Sequence, residues 1–224
     1  MKHETIPYFD VSSPYDIAYR KNIASYPVGP HTHNAAELYL THTFLPDVLI
    51  DDKVSQVPAG SLIVIPPFCV HQLYHRSDVI YERYILSVHS TWLEQVLFGD
   101  REQFSYLKPG AVPLILPLSE AFLEKLTLLF QSSLRTQCGD SIDSILTLFS
   151  LLQYIDEIVN RTRPDHSKCP CTVSNSQRHV NEMIAYINEH LCEPLTLNQL
   201  AGHFFLNPDY LSRLFRKHTH TTVR

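Results

Sequence analysis

Three histidines and one glutamate are the residues of this chain best suited, by type and spacing, to do chemistry. His31, His33 and Glu37 lie in the run His31-Thr32-His33-Asn34-Ala35-Ala36-Glu37, and His71 follows some way on. Side chains on a strand alternate with a period of two, so His31 and His33 point to the same side. A glutamate at the start of the next strand and a histidine on a neighbouring one would close a three-histidine, one-carboxylate set. Such a set suits a divalent transition metal. The same four residues would serve as inward polar groups of a pocket that holds a small molecule by hydrogen bonds, with no metal. Both readings stay open on the residues alone.

A second group, near the C-terminus, has the spacing of a surface that reads DNA. In LTLNQLAGHFFLNPDYLSRLFRKHT, residues 195–219, two short helices are predicted around a tight turn. Thr196 caps the first, and Gln199 completes a capping box. Leu197, Leu200, Ala201 and Phe204 share one face. Asn207 caps the second helix, Pro208 suits its first position, and Asp209 suits the positive end of the dipole. Leu206 and Leu211 are spaced as a hydrophobic staple. Leu211, Leu214 and Phe215 face inward, while Asp209, Ser212, Arg213 and Arg216 share the other face. Hydrogen-bonding groups and arginines on the outer face of a short second helix are what a major groove accepts. An ordinary helical hairpin with a solvated face has the same spacing.

Other chemistry finds little support. The six glycines match no phosphate-cradling motif, and no GxSxG elbow is present. Cys69 lies in an apolar run and reads as a buried structural thiol despite its closeness to His71. Cys169-Pro-Cys171 lacks partners of similar spacing and makes a poor metal site. The N-terminal stretch MKHETIPYFD has no apolar signal-peptide core and no apolar run approaches the roughly 20 residues of a membrane span, so a cytoplasmic protein with no membrane partner is expected.

The 224 residues suit one large or two small domains, and the net charge of −5 excludes a molecule that is basic throughout. Charge is uneven, however. From Asn207 onward Arg213, Arg216, Lys217 and Arg224 stand against Asp209 alone. Residues 1–90 read as short strands separated by turn formers, which suggests a barrel or sandwich. A short helix is predicted from Ser90 or Thr91, then a proline-bearing loop to about Pro117, then helices from Ser119 to about Leu134 and from about residue 141 to Arg161. Leu128, Leu148, Leu151 and Val159 widen the apolar stripes of that pair beyond one face, so a homodimer built on it is expected. Residues 162–176 read as a linker. Val180, Met183, Ile184, Ile187 and Leu191 form a third helical face behind the reading pair.

The C-terminal pattern resembles the first half of the AraC/XylS-family DNA-binding domain. It comprises Ile184-x-x-Ile187, Leu195-x-Leu197-x-x-Leu200-Ala201, and Asn207-x-x-Tyr210-Leu211-Ser212-Arg213-x-Phe215-Arg216-Lys217. The N-terminal part is similar to the cupin-type sensor barrel that commonly precedes it, through His31-x-His33, Glu37, Gly60, Pro66 and His71. The resemblance implies an α+β chain: a cupin-like sensor barrel over 1–90, a helical dimerisation segment over 91–161, the linker, and a partial helix-turn-helix domain over 177–224. It implies a dimeric, non-enzymatic transcription regulator. The barrel would take a small-molecule effector, a sugar or an aromatic acid among the candidates, at His31, His33, Glu37 and His71, with no cofactor required. The partner would be double-stranded promoter DNA, with Asp209, Ser212 and Arg213 on bases and Arg216 and Lys217 on phosphates. The family's domain has two helix-turn-helix units and this chain ends at Arg224, so a domain cut after its first unit is expected. Phe68 stands where metal-binding cupins carry a glycine. The alternatives are a cupin metalloenzyme using the same four residues, and a truncated decoy that dimerises with a full-length regulator.

Overall fold

The computed structural model describes residues 14–23, 29–51, 53–73, 79–97, 103–136, 141–162 and 195–219, with single positions at 180, 183–184, 186–187, 190 and 222. Of the expected linker over 162–176, Thr162 ends a helix and 163–176 lie outside the described residues, as do Leu191 and every cysteine but Cys69. Eight strands come from β-branched and aromatic runs: β1 (Tyr15–Ile23), β2 (Ala35–Thr41), β3 (Leu45–Ile50), β4 (Lys53–Val57), β5 (Ser61–Ile65), β6 (His71–Leu73), β7 (Ile80–His89) and β8 (Leu114–Pro117). They form a five-stranded sheet in the order β1-β7-β2-β5-β8 and a three-stranded sheet in the order β4-β3-β6. All described pairings are antiparallel. The expected barrel is therefore seen as two sheets, and no described strand pairing closes them into a ring.

Alternation along β2, β5 and β7 gives the larger sheet two apolar faces. Tyr39, Ile63, Ile65 and Tyr81 point toward the smaller sheet and pack with its Leu45, Val48, Ile50 and Val57. Leu38, Leu40, Leu62, Val64, Tyr84, Leu86 and Val88 point the other way and meet the helices. These helices are α1 (Ser90–Leu97), α2 (Glu120–Thr136) and α3 (Ile142–Thr162). A strand buried on both faces reads as a continuous apolar run, as in Ser61–Ile65, where every residue is buried. Gly60 turns the chain into β5 with φ +72°, and a Cβ there would stand 3.2 Å from Leu123 on α2. Backbone conformation and space both call for glycine.

Two elements differ from the sequence expectation. The proline-bearing segment before α2 contains β8, which pairs with β5 from Ser61↔Pro117 to Val64↔Leu114. An edge strand tolerates prolines because its outer N–H groups need no partner. The sheet thus takes a strand from beyond residue 90. Second, the wide stripe of α3 is mostly used inside the chain: Leu148, Leu151 and Val159 are fully buried in the helix–sheet core. Ile142, Ile145 and Leu146 on α3 and Leu128 on α2 remain exposed.

At the C-terminal end, α4 (Leu197–His203) and α5 (Pro208–Thr219) pack around Leu200, Ala201, Leu211, Leu214 and Phe215. Val180 and Met183 complete this third core. Tyr186 stacks between His190 and His203 with ring centroids 4.0 and 3.9 Å apart, which binds that segment to α4. Both caps form as the sequence predicts. Thr196 Oγ1 accepts from Gln199 N and the Gln199 side chain accepts from Thr196 N. Asn207 Oδ1 accepts from Asp209 N at 2.9 Å and Tyr210 N at 3.3 Å.

Candidate functional site

His31, His33, Glu37 and His71 come together at one end of the two sheets. Glu37 sits on β2 of the larger sheet, and His71 begins β6 of the smaller one. His31 joins them through a backbone bridge: His31 N donates to His71 O at 3.1 Å and His71 N donates to His31 O at 2.9 Å. Phe68 N donates to His33 O at 2.9 Å and ties the histidine run to the β5–β6 turn. The price of that turn is visible at Phe68, a buried aromatic residue with φ +63°. Left-handed backbone is rare for bulky residues and costs about 1–2 kcal/mol. Glycine in the metal-binding cupins would avoid that strain.

The three imidazoles offer one nitrogen each, all within 4.8 Å of one another. Glu37 Oε1 is 3.2 Å from His33 Nε2, and Glu37 Oε2 is 3.1 Å from His71 Nε2. Neither contact has the direction of a hydrogen bond, so both Nε2 atoms, and His33 Nδ1, are buried without one. Glu37 does accept from the Tyr39 hydroxyl on Oε2 and from the Ser87 hydroxyl on Oε1.

The tautomer of His71 follows from its other nitrogen. Nδ1 lies 3.0 Å from the Cys69 carbonyl, which can only accept, so Nδ1 carries the proton. A neutral His71 would then turn a bare Nε2 lone pair toward a carboxylate oxygen. Two acceptors 3.1 Å apart repel unless Nε2 is protonated or a cation stands among them. Burial works against charge on both partners, yet their pairing outweighs it. Glu37 is pushed up by burial but held well below the usual carboxylate range by His33 and His71. His71 is pushed down by burial but raised overall by Glu37. His31 is lowered by burial and by His71 beside it. Burial and the Glu37 charge raise the Tyr39 hydroxyl well above its ordinary range.

This donor set fits a divalent transition metal. Three imidazoles and a carboxylate converge, and His31 and His71 each present one nitrogen to a backbone carbonyl, Gly29 and Cys69 respectively, as metal-bound histidines do. It fits equally a polar molecule that fills the same hydrogen-bonding positions. Cys69, as expected, is a buried thiol, 3.2 Å from Asp51 Oδ1 and pushed far up by burial.

Tyr39 and Ser87 belong to the site and were not picked out from the sequence. Tyr39 is two residues beyond Glu37, so period-two alternation would have placed it on the same face. Ser87 is the register partner of Glu37 across β2 and β7, a pairing that no local pattern displays. The predicted DNA-reading residues lie apart, on α5. Asp209, Arg213, Arg216 and Lys217 are exposed and Ser212 is half-buried. Arg213 Nε donates to Asp209 O at 3.3 Å, which aligns the guanidinium along the helix. Among the described residues no helix is long and apolar enough to cross a membrane.

Among solved structures the chain is similar to ToxT from Vibrio cholerae O395 bound to (E)-4-(8-methylnaphthalen-1-yl)but-3-enoic acid. That likeness has 8% identity over 94% of this chain and 97% of that one, with a TM-score of 0.41. It is also similar to a Cupin 2 conserved barrel domain protein from Salinispora arenicola CNS-205, with 19% identity over 40% of this chain and 76% of that one and a TM-score of 0.32. The plu4264 protein from Photorhabdus luminescens aligns at 20% identity over 40% of this chain and 75% of that one, with a TM-score of 0.32. No curated protein sequence matches the chain. The AraC-like ligand binding domain family matches residues 14–152, a span that takes in both sheets, the histidine–glutamate site and most of the helical layer. The chain belongs to that family, whose domain is a regulatory one that binds a small-molecule effector.

Proposed function

We propose that this chain is an effector-responsive transcription regulator that works in the cytoplasm as a homodimer. A small molecule binds between the sheets at His31, His33, Glu37 and His71. Helices α4 and α5 form a helix-turn-helix that reads double-stranded promoter DNA. Domain limits follow the sequence reading, except that β8 carries the sensor sheet beyond residue 90: sensor over 1–90, helical dimerisation segment over 91–161, linker over 162–176 and DNA-reading unit over 177–224. The observation that carries the reading is the joining of an AraC-like ligand binding domain to a separately packed, doubly capped helix pair with a cationic outer face. Asp209, Ser212 and Arg213 face bases, and Arg216 and Lys217 face phosphates. Exposed Ile142, Ile145 and Leu146 supply an apolar surface for the second subunit.

Mobility-shift titration of the chain against its own promoter region tests this, with Arg213→Ala beside it. Arg213 on a guanine edge contributes about 1–3 kcal/mol, so the variant binds roughly 5- to 150-fold more weakly. Equal binding by the variant would remove Arg213 from the reading face.

One observation favours a second reading, a cupin-type metal centre acting on a substrate: the Nε2 atoms of His33 and His71 lie 3.2 and 3.1 Å from the Glu37 carboxylate without a hydrogen bond. His31, His33, His71 and Glu37 would hold the ion, which would supply a Lewis-acid anchor for an oxygen of the bound molecule. Elemental analysis of protein purified without a histidine tag decides it. Stoichiometric iron, manganese or nickel that disappears in His33→Ala supports the centre, and metal-free protein removes it.

A further inference from the structure

The turn between α4 and α5 holds a phenylalanine where helix ends favour glycine. Leu206 N donates to Ala201 O at 2.9 Å and Phe205 N donates to Gly202 O at 3.3 Å, the paired bonds of a Schellman ending on α4. That ending puts the residue after the cap in left-handed backbone, and Phe205 has φ +52°. Glycine is the usual occupant, because a Cβ there crowds the backbone. Leu206, the next residue, packs against the third core. Phe205 does not: it is 96% exposed. Among the described residues three other non-glycine residues have positive φ, and each has a compensation that Phe205 lacks. Phe68 and Phe104 bury their rings, at 3% and 6% exposure. Asp51 is of a type whose short polar side chain tolerates this backbone.

A single exposed apolar side chain is ordinary on a protein surface. An unburied aromatic ring on left-handed backbone is not, since it contributes nothing to the folded chain that glycine would not supply better. A partner that covers the ring supplies the missing contribution, and position selects that partner. Phe205 stands two residues ahead of Asn207, the cap of α5, and the N-terminal residues of such a second helix are the ones that reach base edges in a major groove. Arg213, Arg216 and Lys217 give the same helix an exposed cationic face, which suits a polyanion. The apolar feature of a base edge in that groove is the C5-methyl group of thymine, which phenylalanine contacts well. We propose that Phe205 is a base-reading residue whose ring sits on a thymine methyl at the edge of the site read by α5. This rests on the DNA reading proposed above and adds to it an apolar contact ahead of the helix.

Phe205→Gly tests this cleanly, because it keeps the turn and removes the ring. Fluorescence anisotropy of the full chain on a duplex of its own promoter region measures binding. A series of duplexes in which each thymine in turn is replaced by deoxyuridine deletes one methyl group at a time. Phe205→Gly weakens binding at least fivefold on the parent duplex and raises the urea midpoint of the chain. Wild type loses at least threefold on one deoxyuridine duplex, which Phe205→Gly does not distinguish from the parent. The proposal is overturned if Phe205→Gly binds as wild type does, if both proteins respond alike to every deoxyuridine, or if the midpoint falls, which would show the ring packed on its own chain. Unchanged DNA binding joined to lost promoter activity in cells would assign the ring to a protein partner instead. Binding that Arg213→Ala weakens and Phe205→Gly does not would sink this contact and leave the DNA reading standing. A wild-type chain that binds no duplex sinks both.

Discussion

Glu37→Gln is the substitution that tests the site most directly in the metal-free protein. The carboxylate accepts from the Tyr39 and Ser87 hydroxyls and stands beside the Nε2 atoms of His33 and His71. Hydrogen bonds to a charged acceptor contribute about 1.5–3 kcal/mol against about 0.5–1.5 for neutral ones, so two of them lose about 2 kcal/mol together. The amide also has only one accepting atom, which leaves one hydroxyl short. Removing a buried charge works the other way. Because Glu37 is held well below the usual carboxylate range, its surroundings favour the ionised form more than water does, and the loss wins. A net destabilisation of about 2–4 kcal/mol follows from the bonds and the stranded hydroxyl. The difference depends on pH. A depressed carboxylate contributes fully above its ordinary value of 4.5, and the contribution fades as pH falls through its lower folded value. A raised histidine contributes fully below its ordinary value of 6.5, and that part fades as pH rises through its higher folded value. Wild type should therefore exceed Glu37→Gln most between pH 4.5 and 6.5. Urea denaturation of chelator-treated protein across pH 3–9 measures this. Equal stability near pH 5.5, or a gap that persists unchanged into acid, would refute the reasoning.

Two further outcomes are expected. At Phe68 the usual order of small residues reverses: alanine loses the buried ring at a cost of about 3–5 kcal/mol, whereas glycine loses the ring but relieves about 1 kcal/mol of left-handed strain. A denaturation midpoint for Phe68→Ala at or above that of Phe68→Gly would show that no strain is stored there. Leu146→Glu, at a position 58% exposed on α3, converts the proposed dimer to monomer without loss of helicity. Light scattering that still reports a dimer would move the interface elsewhere.

What the sequence displays depends on how far apart the partners lie. Thr196 with Gln199, and Asn207 with the two N–H groups that follow it, are local arrangements that need only a few residues, and the caps form where they are expected. His31, His33 and Glu37 are likewise only a few positions apart, although the expected strand does not hold the histidines: His31 makes an isolated bridge and His33 lies in the irregular stretch before β2. Ser87 enters the site from fifty positions away because β2 pairs with β7 in one particular register. Alternation tells which residues share a face and does not tell which strand lies alongside. The same gap explains α3. Its apolar residues exceed one helical face, but whether the surplus meets a sheet or another subunit depends on where β1, β2 and β7 lie, and Leu148, Leu151 and Val159 meet their own chain. β8 escaped notice because four residues with a proline at the end carry almost no periodic signal.

Strands β2 and β7 bear the site on one face and the helical core on the other, and this gives effector binding a short route outward. Glu37, Tyr39 and Ser87 face the interior, while Leu38, Tyr84 and Leu86 on the same strands pack against the helices. Tyr84 is in ring contact with Phe130 at 5.5 Å and accepts from Gln131 Nε2 at 3.2 Å, both on α2. Stacked layers are about 10 Å apart, so a displacement of β7 reaches α2 without an intervening element. A regulator needs a coupling free energy of about 1–3 kcal/mol between its sites. One or two charge-assisted hydrogen bonds made or broken at Glu37 are of that size. The glutamate is therefore large enough in its energetics, and close enough to the helical layer, for a change in its partners to bias the surface that α2 and α3 present.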